Sequence, residues 1–536
     1  MNLIDKVVAV INPQKALERE KARCNLKIIQ KFANSGYDEG GASHDKNSMR
    51  GWRASSKSPQ EDIDRNLDTL RQRSRSLMMS APIAVSAIKT NRTNIVGMGL
   101  RLRPTIDREV LGLSAEEAKK WEKKTQREFE LWAKSKQCDA TKVNNFYEMQ
   151  QIVCMSWLTN GDAVGLIEYC DEEKAFMPYE LRIHLIESDK VCNPQSTGAY
   201  VNLWETNPEN GNRIYNGVEI DSKGGVVAYH ICNTYPNSTL SAKKEWKRIK
   251  AFGERTGMPN VLMIFESERA EQYRGVPYLA PVIEALKQLT RYSEAEIMAA
   301  VINGFFTVFI TSNKSVSEMP FTGIADDADD EYDTGNSYGL GPGMINILEP
   351  GEDIRMADPS HPNSNFDAFT TAYAKYIGAA LEIPSELLLK QFGASYSASK
   401  AALEEAWKAF KMRRAWLVDD FCRPVYEIWL TEAIAKGRIS APGFYLDASI
   451  REAWCKCAWN GPAQGMLDPL KEIKAANGRV ALGVSTREIE TMEMSGGNFD
   501  DNAAQLKHEA VHMGEINSLL GNTSDSQQTE DGNGES

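Results

Sequence analysis

The sequence predicts a mostly helical α+β protein, and two observations support this fold class. Long stretches on both sides of the middle of the chain carry apolar residues at helical spacing. Between them, residues 162–275 divide into short β-branched runs separated by turns rich in Gly, Pro and Asn. With 536 residues the chain is too long for a single hydrophobic core, so we expect three or four folding units.

Composition places the chain among soluble globular proteins, with 42% apolar and 25% charged residues. We find no apolar run of membrane-spanning length and no signal peptide pattern, so we expect no membrane partner. The nine cysteines are scattered along the chain, which favours a reducing cytoplasm over a disulfide framework. The formal net charge of −12 argues against a protein that grips nucleic acid through a broad basic surface.

The N-terminal part is predicted to be an extended arm followed by helices. Residues 1–60 mix charges with Gly and Ser, a composition typical of an arm that folds against another surface. Helical spacing of Leu, Ile and Met then covers residues 62–95, with Pro82 as a break or restart.

Two further helices have local start signals. Ser114, with Glu117 three residues later, predicts a capping box at the start of an amphipathic helix. A second helix should begin after Asn145 and end at Gly161, which suits the position just beyond a helix end.

The middle of the chain combines predicted strands with a long helix. The runs AVGLIEYC, YELRIHLI, VVAYHIC and NVLMIF are each predicted as a strand. Pro281 lies near the first turn of a long helix over residues 281–303. Residues 304–362 contain two more strand-like pieces, FFTVFIT and MINILE, on either side of the acidic, Gly-rich stretch DDADDEYDTGNSYGLGPG.

A second long helix is predicted to start at Ser364 and Asp367 and to end before Pro384. A further amphipathic helix should be kinked at Pro424. The last fifth of the chain has a helical pattern, and residues 521–536 are predicted to be a disordered tail.

Between the second long helix and the amphipathic helix with Pro424, residues 391–400 read QFGASYSASK, a loop of small residues with one Tyr. Ser397 or Ser399 is predicted to cap the helix that begins near Lys400. The stretch from Ser397 to Lys400 also matches the S-x-x-K pattern of penicillin-recognising enzymes, but the partner motifs S-D-N and K-T-G are absent.

The sharpest enzymatic motif is HEAVH at residues 508–512. In zinc hydrolases with this pattern, the two histidines bind the metal and the glutamate is the general base, which here would be His508, His512 and Glu509. Few residues follow, most of them in the predicted tail, and a third ligand such as Glu515 would lie too close on the same helix. An exposed helix face is the simpler interpretation, and a zinc-dependent hydrolase remains the alternative function.

Other motifs argue for no cofactor and no metal. The chain contains no G-x-x-x-x-G-K-[ST] and no G-x-G-x-x-G loop, so no ATPase is predicted. Cys455 and Cys457 lack a second pair at zinc-ribbon spacing and are predicted to be core thiols. The acidic run from Asp326 to Asp333 lacks the Gly and Glu of a calcium loop.

Two charged clusters have open interpretations. The acidic run is suited to meeting a basic partner, although a solvated loop would look the same. Arg413 and Arg414 could contact phosphate, whereas a solvated or acid-paired helix face is the simpler expectation.

Specific stretches follow one another along nearly the whole chain, from residue 36 to about residue 495. They are GYDEGG…RGW, RQRSRSLMMSAPIAVSAIKTNRTNIVGMGLRLRP, YRGVPYLAPVIEALKQL, LEPGEDI, YIGAALEIPSELLLKQFGASYSASKAALEEAWKAF and AWNGPAQGMLDPLKEIKAA…LGVSTREIE. In this order they resemble the portal (head–tail connector) proteins of tailed phages, specifically the lambda-type family.

The resemblance implies a homo-oligomeric ring, usually of twelve subunits, at one vertex of the viral capsid. It would be assembled in the host cytoplasm and kept in the virion, and double-stranded DNA would be packaged and ejected through it without sequence preference. The other implied partners are the terminase large subunit, capsid and scaffold proteins, and head–tail connector proteins. The ring would have no catalytic activity of its own, because terminase hydrolyses the ATP. A capsid-associated scaffold without a channel is a further alternative.

The resemblance also implies a division of the chain into regions. These are an N-terminal arm (1–60), a wing (61–280), a first stem helix (281–303), a clip (304–362), a second stem helix (363–383), a tunnel-loop region (384–400), a helical wing and crown (401–520) and the tail (521–536).

The tunnel loop, about residues 389–399, should line the narrowest part of the channel. Duplex DNA carries a charge about every 1.7 Å, so a ring of lysines would bind phosphates repeatedly and stall sliding. Hydroxyl groups make weak, exchangeable hydrogen bonds without sequence preference, and a glycine lets the loop move. The candidate channel residues are Lys390, Gly393, Ser395, Tyr396, Ser397, Ser399 and Lys400. The candidate motor-facing residues of the clip are Asp326, Asp327, Asp329, Asp330, Glu331 and Asp333.

Overall fold

The fold is described from a computed structural model. The described residues are 12–32, 42–43, 46–52, 54–170, 176–194, 204–236, 238, 243–304, 308–312, 352–356, 365–392, 395–465 and 468–524. The chain forms two compact units, Met1–Ser58 and Pro59–Ser536.

The helices lie mostly at the two ends of the chain and the strands mostly in its middle, an order that matches a mostly helical α+β protein. The helices are α1 (Pro13–Phe32), α2 (Arg65–Ser80), α3 (Pro82–Ile95), α4 (Arg108–Leu111), α5 (Ala115–Ala133), α6 (Phe146–Asn160), α7 (Ile283–Gly304), α8 (Phe366–Ala380), α9 (Ser385–Leu389), α10 (Tyr396–Leu417), α11 (Arg423–Ala435), α12 (Ala448–Cys455), α13 (Pro469–Ala481), α14 (Arg487–Ser495) and α15 (Phe499–Ser524). The strands are β1 (Arg101–Pro104), β2 (Asp162–Tyr169), β3 (Leu181–Ile186), β4 (Glu205–Thr206), β5 (Arg213–Tyr215), β6 (Val218–Ile220), β7 (Val226–Cys232), β8 (Trp246–Lys250), β9 (Val261–Phe265), β10 (Val308–Ser312), β11 (Glu352–Met356) and β12 (Cys457–Asn460).

The first unit contains a helix where an extended arm was predicted. Residues 13–32 form α1, so the prediction is wrong for this segment. Its sequence, PQKALEREKARCNLKIIQKF, is rich in Ala, Leu, Glu, Lys and Arg, which are strong helix formers. Helix propensity therefore outweighs the polar composition that suggested an arm.

The N-terminal helices of the second unit begin and end where local signals predict. Pro82 is the first residue of α3, where its missing N–H is tolerated. The hydroxyl of Ser114 accepts a hydrogen bond from the Glu117 backbone N–H (3.3 Å), and the Glu117 carboxylate accepts one from the Ser114 N–H (3.0 Å). Asn145 caps α6 in the same way, and Gly161, with a φ of 94°, ends it. These three predictions are confirmed.

The region 162–275 forms two antiparallel sheets, and all four predicted runs are strands. The three-stranded sheet has the order β3-β2-β9, and the five-stranded sheet has the order β4-β5-β6-β7-β8. A separate pair joins β1 to β12, with Arg101 opposite Asn460 and Pro104 opposite Cys457. The sequence pattern did not predict this pair, because β12 has only four residues and its partner is distant in the chain.

A buried aromatic cluster joins the N-terminal helices to the C-terminal ones. The ring of Phe129 lies 5.5 Å from that of Trp132 and 5.7 Å from that of Phe146. It also lies 5.1 Å from the ring of Trp429 and 5.8 Å from that of Trp459. Most of these contacts are edge-to-face, the arrangement that aromatic quadrupoles favour. Because the rings come from α5, α6, α11 and β12, the cluster holds both halves of the unit together.

The second unit also contains a buried ionic network. Asp162 accepts two hydrogen bonds of 2.9 Å from the Arg71 guanidinium and one of 2.7 Å from Arg274 Nε. All three side chains are almost completely buried. Burial alone would raise the pKa of Asp162, but the charges of Arg274 and Arg71 outweigh it and hold this pKa below its ordinary value. Nearby, burial raises the pKa of Asp64 to about 6, because the same two arginines offset the lost hydration only in part.

The two long helices α7 and α8 pack against each other through aromatic side chains. The ring of Tyr292 lies 5.6 Å from that of Phe366 and 4.8 Å from that of Phe369. Pro281 lies in a 3₁₀ turn directly before α7, as predicted. α8 begins after Asn365, and the predicted opening residue Ser364 lies outside the described residues.

Strands β10 and β11 form an antiparallel pair between the two long helices, from Val308 opposite Met356 to Ser312 opposite Glu352. β10 confirms part of the predicted FFTVFIT strand, whereas β11 was not predicted as a strand. The predicted MINILE strand and the acidic run between β10 and β11 lie outside the described residues.

The C-terminal part is helical, as predicted. A π turn over residues 418–422 separates α10 from α11, and Pro424 lies in the first turn of α11. The predicted kink is therefore this wider turn just before Pro424. Proline has no backbone N–H to donate, and this is tolerated in the first turn of a helix. The helix α15 extends to Ser524, so the predicted disorder is wrong for residues 521–524, and residues 525–536 lie outside the described part. Within the described residues we find no helix long and apolar enough to cross a membrane.

Candidate functional site

The predicted tunnel loop starts from a tight turn at the end of α8. The backbone N–H of Leu381 donates to the Ile377 carbonyl (3.1 Å), and that of Ile383 donates to the Gly378 carbonyl (2.9 Å). A Cβ atom at position 378 would lie 2.4 Å from the Ile383 carbonyl oxygen. Only glycine therefore allows the chain to fold back so closely onto the helix.

The short helix α9 fixes the other side of this turn. Pro384 precedes α9, and its carbonyl accepts from the N–H groups of Leu387 (3.1 Å) and Leu388 (3.0 Å). The hydroxyl of Ser86 on α3 donates to the Leu388 carbonyl (2.7 Å). α9 ends at Leu389, and the next residue, Lys390, has a left-handed φ of 55°. The loop therefore leaves from a helix that is anchored to α3.

The loop itself is shorter than predicted, because α10 begins one turn earlier. Ser395 occupies the position before the helix, its side chain makes no capping bond, and its carbonyl accepts from the Ser399 N–H (3.0 Å). Capping by Ser397 or Ser399 is therefore wrong, since both lie inside α10. Residues 390–395 lie between α9 and α10, and of these Gly393 and Ala394 lie outside the described residues.

The predicted channel residues differ in their exposure. Lys390, Ser395 and Ser397 are exposed, close together in the chain at the junction of α9 and α10. Ser399 is buried, which contradicts its predicted role, because a buried hydroxyl cannot reach DNA. Lys400 is half-buried, with its Nζ 4.0 Å from a Glu404 carboxylate oxygen and 3.7 Å from one of Glu472. Of Tyr396 only the backbone is described, at the start of α10.

Arg413 ties the base of the loop to three other segments. Its guanidinium donates to Glu382 (2.5 Å) and Asn91 (3.4 Å) and lies 4.9 Å from the ring of Tyr278. Tyr278 in turn donates to the Leu381 carbonyl. Arg413 is buried, so the predicted acid pairing is correct and solvation is not. The burial of Arg413 could have been predicted from the sequence, because helical spacing places it on the same face as the apolar residues Phe410 and Leu417.

The guanidinium of Arg414 is also bonded within the protein, so it cannot contact phosphate in this arrangement. It donates to the carbonyl oxygens of Asn94 (2.7 Å), Ile95 (2.9 Å) and Pro462 (3.0 Å), and its guanidinium lies 5.4 Å from the ring of Trp407. Burial lowers the pKa of Arg414 to about 10. The side chain satisfies the carbonyls of Asn94 and Ile95 at the end of α3.

The motor-facing candidates all lie outside the described residues: Asp326, Asp327, Asp329, Asp330, Glu331 and Asp333. What the structure describes is the β10–β11 pair that brackets them, in which Ser312 lies opposite Glu352. The two ends of the segment are therefore held side by side.

The remaining motifs have no enzymatic surroundings in the part of the chain that the structure describes. HEAVH lies on α15, with His508, Glu509 and His512 exposed. Within the described residues, we find no group of three His, Cys, Asp or Glu side chains that could hold a metal ion. Burial raises the pKa of Cys455 to about 12 and that of Cys457 to about 11, which keeps both as thiols.

Comparison with known proteins identifies similar sequences. Residues 45–414 match the model of the family described as phage portal protein, lambda family. Portal protein B of Escherichia phage lambda is 22% identical over 89% of this chain and 90% of its own length. The portal protein of Escherichia phage N15 is 22% identical over the same shares. A chain from the neck of a native GTA particle, computed with C12 symmetry, is 14% identical over 78% of this chain and 93% of its own, with a TM-score of 0.40.

Proposed function

The chain belongs to the lambda family of phage portal proteins, and we propose that it forms a ring at one capsid vertex through which double-stranded DNA is packaged and ejected. The family match over residues 45–414 is the observation that carries this proposal. We place the ring in the virion after assembly in the host cytoplasm, with twelve subunits, the usual number in the family.

Exposed apolar side chains on the two long helices support the ring. In the isolated chain, Ile297 and Met298 on α7 are 64% and 61% exposed, and Tyr376 on α8 is 68% exposed. Removing such side chains from water would favour association by about 25 cal/mol per Å² of apolar surface. We propose that neighbouring copies cover these faces, so that α7 and α8 act as the stem.

The other regions of the portal are proposed with the boundaries expected from the sequence. The wing spans residues 61–280, the clip 304–362, and the helical wing and crown 401–520. β10 and β11 would form the base of the clip. The segment between them, which carries the acidic run, would face the packaging motor.

We propose that the exposed loop residues Lys390, Ser395 and Ser397 face the DNA in the channel. Lys400 lies near two carboxylates, so its charge is partly neutralised. A loop that presents hydroxyl groups and few uncompensated positive charges would hold DNA weakly, as sliding requires. The net charge of −12 per chain agrees with a conduit that does not grip its cargo.

The proposed partners are those of a portal without catalytic activity of its own. The terminase large subunit would dock on the clip and supply ATP hydrolysis, for which this chain has no phosphate-binding motif. Capsid and scaffold proteins would surround the ring, and head–tail connector proteins would bind it after packaging. Native mass spectrometry and negative-stain microscopy of the purified protein test whether it forms a ring. A protein that stays monomeric both without capsid proteins and together with them would contradict the proposal.

The loop proposal predicts that Ser397→Lys slows packaging. A lysine on every subunit adds a ring of positive charge that binds phosphates, and this binding weakens steeply as salt rises. We expect less packaged DNA per particle than wild type at low salt, with partial recovery at higher salt. Ser397→Ala is the matched control and should package normally. Equal packaging by the Lys and Ala variants at low salt would show that position 397 does not face DNA.

The clip proposal predicts that the acidic run binds terminase. Charge reversal of Asp326, Asp327, Asp329 and Asp330 to lysine should abolish pull-down of the terminase large subunit, because like charges repel a basic partner. Ring formation, measured on the same sample, should persist. If terminase still binds the reversed ring and a substitution on another face abolishes binding, the motor docks elsewhere.

A further inference from the structure

Two histidines of the exposed helix α15 come close enough together to share a ligand. His508 and His512 are one helical turn apart, and their Nε2 atoms lie 3.2 Å from each other. The ring centroids are 4.4 Å apart, and the rings are almost perpendicular, at 85°. The chain has six histidines in total, so one third of them lie on this single turn.

The separation of the two nitrogens suits a metal ion. Metal ions bind histidine nitrogen at about 2.0–2.1 Å, so two ligands whose nitrogens are 3.2 Å apart subtend an angle of about 100° at the metal. This angle lies between those of octahedral and tetrahedral coordination. Residues at i and i+4 lie on one helix face, so the backbone holds the rings near this separation without a loop.

Neighbouring carboxylates support the same arrangement. A Glu515 carboxylate oxygen lies 3.5 Å from Nδ1 of His512, the ring nitrogen that does not contact His508. It favours a proton on Nδ1, which leaves the Nε2 lone pair of His512 to accept the hydrogen bond from Nε2 of His508, and a metal ion would replace the proton of that bond. Glu509, by contrast, accepts a hydrogen bond from the Gln505 side chain (3.0 Å).

We propose that His508 and His512 form a two-nitrogen chelate for a late first-row divalent metal ion, namely Ni²⁺, Cu²⁺ or Zn²⁺, which favour imidazole ligands. Catalytic zinc sites use three protein ligands, and none of the described groups of His, Cys, Asp and Glu provides three. Water or a second molecule therefore completes the coordination sphere. The site is a surface chelate and not a hydrolase centre, and it does not depend on the ring proposal.

The test is metal binding to the purified full chain without a histidine tag. Isothermal titration with Ni²⁺ alone should show one saturable site per chain. His508→Ala and His512→Ala should each weaken binding more than about tenfold. His184→Ala is the matched control, because His184 is also partly exposed beside a glutamate, Glu168, yet has no histidine one turn away, so it should bind as wild type does.

A second set of measurements tests whether metal binding depends on the spacing of the two histidines or only on the number of histidines in the chain. The double variant His512→Ala with Met513→His keeps six histidines but puts the second ring at i+5, on another side of the helix, and should lose the site. Electron paramagnetic resonance of the Cu²⁺-loaded wild type should show two coupled imidazole nitrogens, and His508→Ala one. Absence of a saturable site in the wild type, or unchanged affinity in either single variant, would overturn the proposal.

Discussion

Asp162→Ala should lower the free energy of unfolding by about 3–5 kcal/mol, because it leaves two buried arginines without their shared carboxylate. Arg71 and Arg274 are 1% and 0% exposed, so water cannot replace the lost partner. The loss should also loosen the junction between α2, the start of β2 and the segment that leads into α7. The measurement is the midpoint of guanidinium denaturation, followed by circular dichroism.

The control for this experiment is Asp62→Ala, which removes the carboxylate of an exposed ion pair with Arg269 (2.7 Å). Both side chains are over 40% exposed, so we expect a change below about 1 kcal/mol. If Asp162→Ala does not fold, Asp162→Asn, which keeps one acceptor oxygen, should show a smaller loss in the same direction. Equal shifts for Asp162→Ala and Asp62→Ala would mean that burial does not govern the network.

Gly378→Ala should destabilise the protein by about 1–3 kcal/mol and displace the turn that carries the proposed tunnel loop. The new methyl group would lie 2.4 Å from the Ile383 carbonyl oxygen, a backbone atom that cannot move without moving Glu382 and its contact to Arg413. We therefore expect a lower denaturation midpoint and, if the proposed role of the loop holds, less packaged DNA in assembled particles than in wild type.

Gly478→Ala is the matched control, because it makes the same substitution inside a helix without a clash. Gly478 lies in the exposed part of α13, and a Cβ atom there would meet nothing within 4 Å. The change should stabilise the protein by about 0.5–1 kcal/mol, since alanine loses less backbone entropy than glycine. The two variants should thus shift stability in opposite directions, and a gain for both would contradict the close approach at Gly378.

The candidate site could be predicted from the sequence in position but not in detail. The order of the stretches around YIGAALEIPSELLLKQFGASYSASK located the loop between α8 and α10. The point at which α10 begins was missed by one turn, because serine is a cap in some positions and a tolerated helix residue in others. The burial of Ser399 and the carboxylates near Lys400 followed from that shift and from α13, which supplies Glu472.

The sequence by itself determined the class of the fold, the mostly helical order of elements and the boundaries that local chemistry sets. A capping box such as Ser114 with Glu117 closes over three residues, and Pro82 acts on its own backbone, so neither depends on the rest of the molecule. Only the tertiary structure decided that Asp162 joins Arg71 and Arg274, and that Arg413 holds Glu382. Those partners lie far apart in sequence, and many arginines and carboxylates could form such pairs in principle. Packing of the apolar faces selects which charges are buried together, because a buried charge must find a partner.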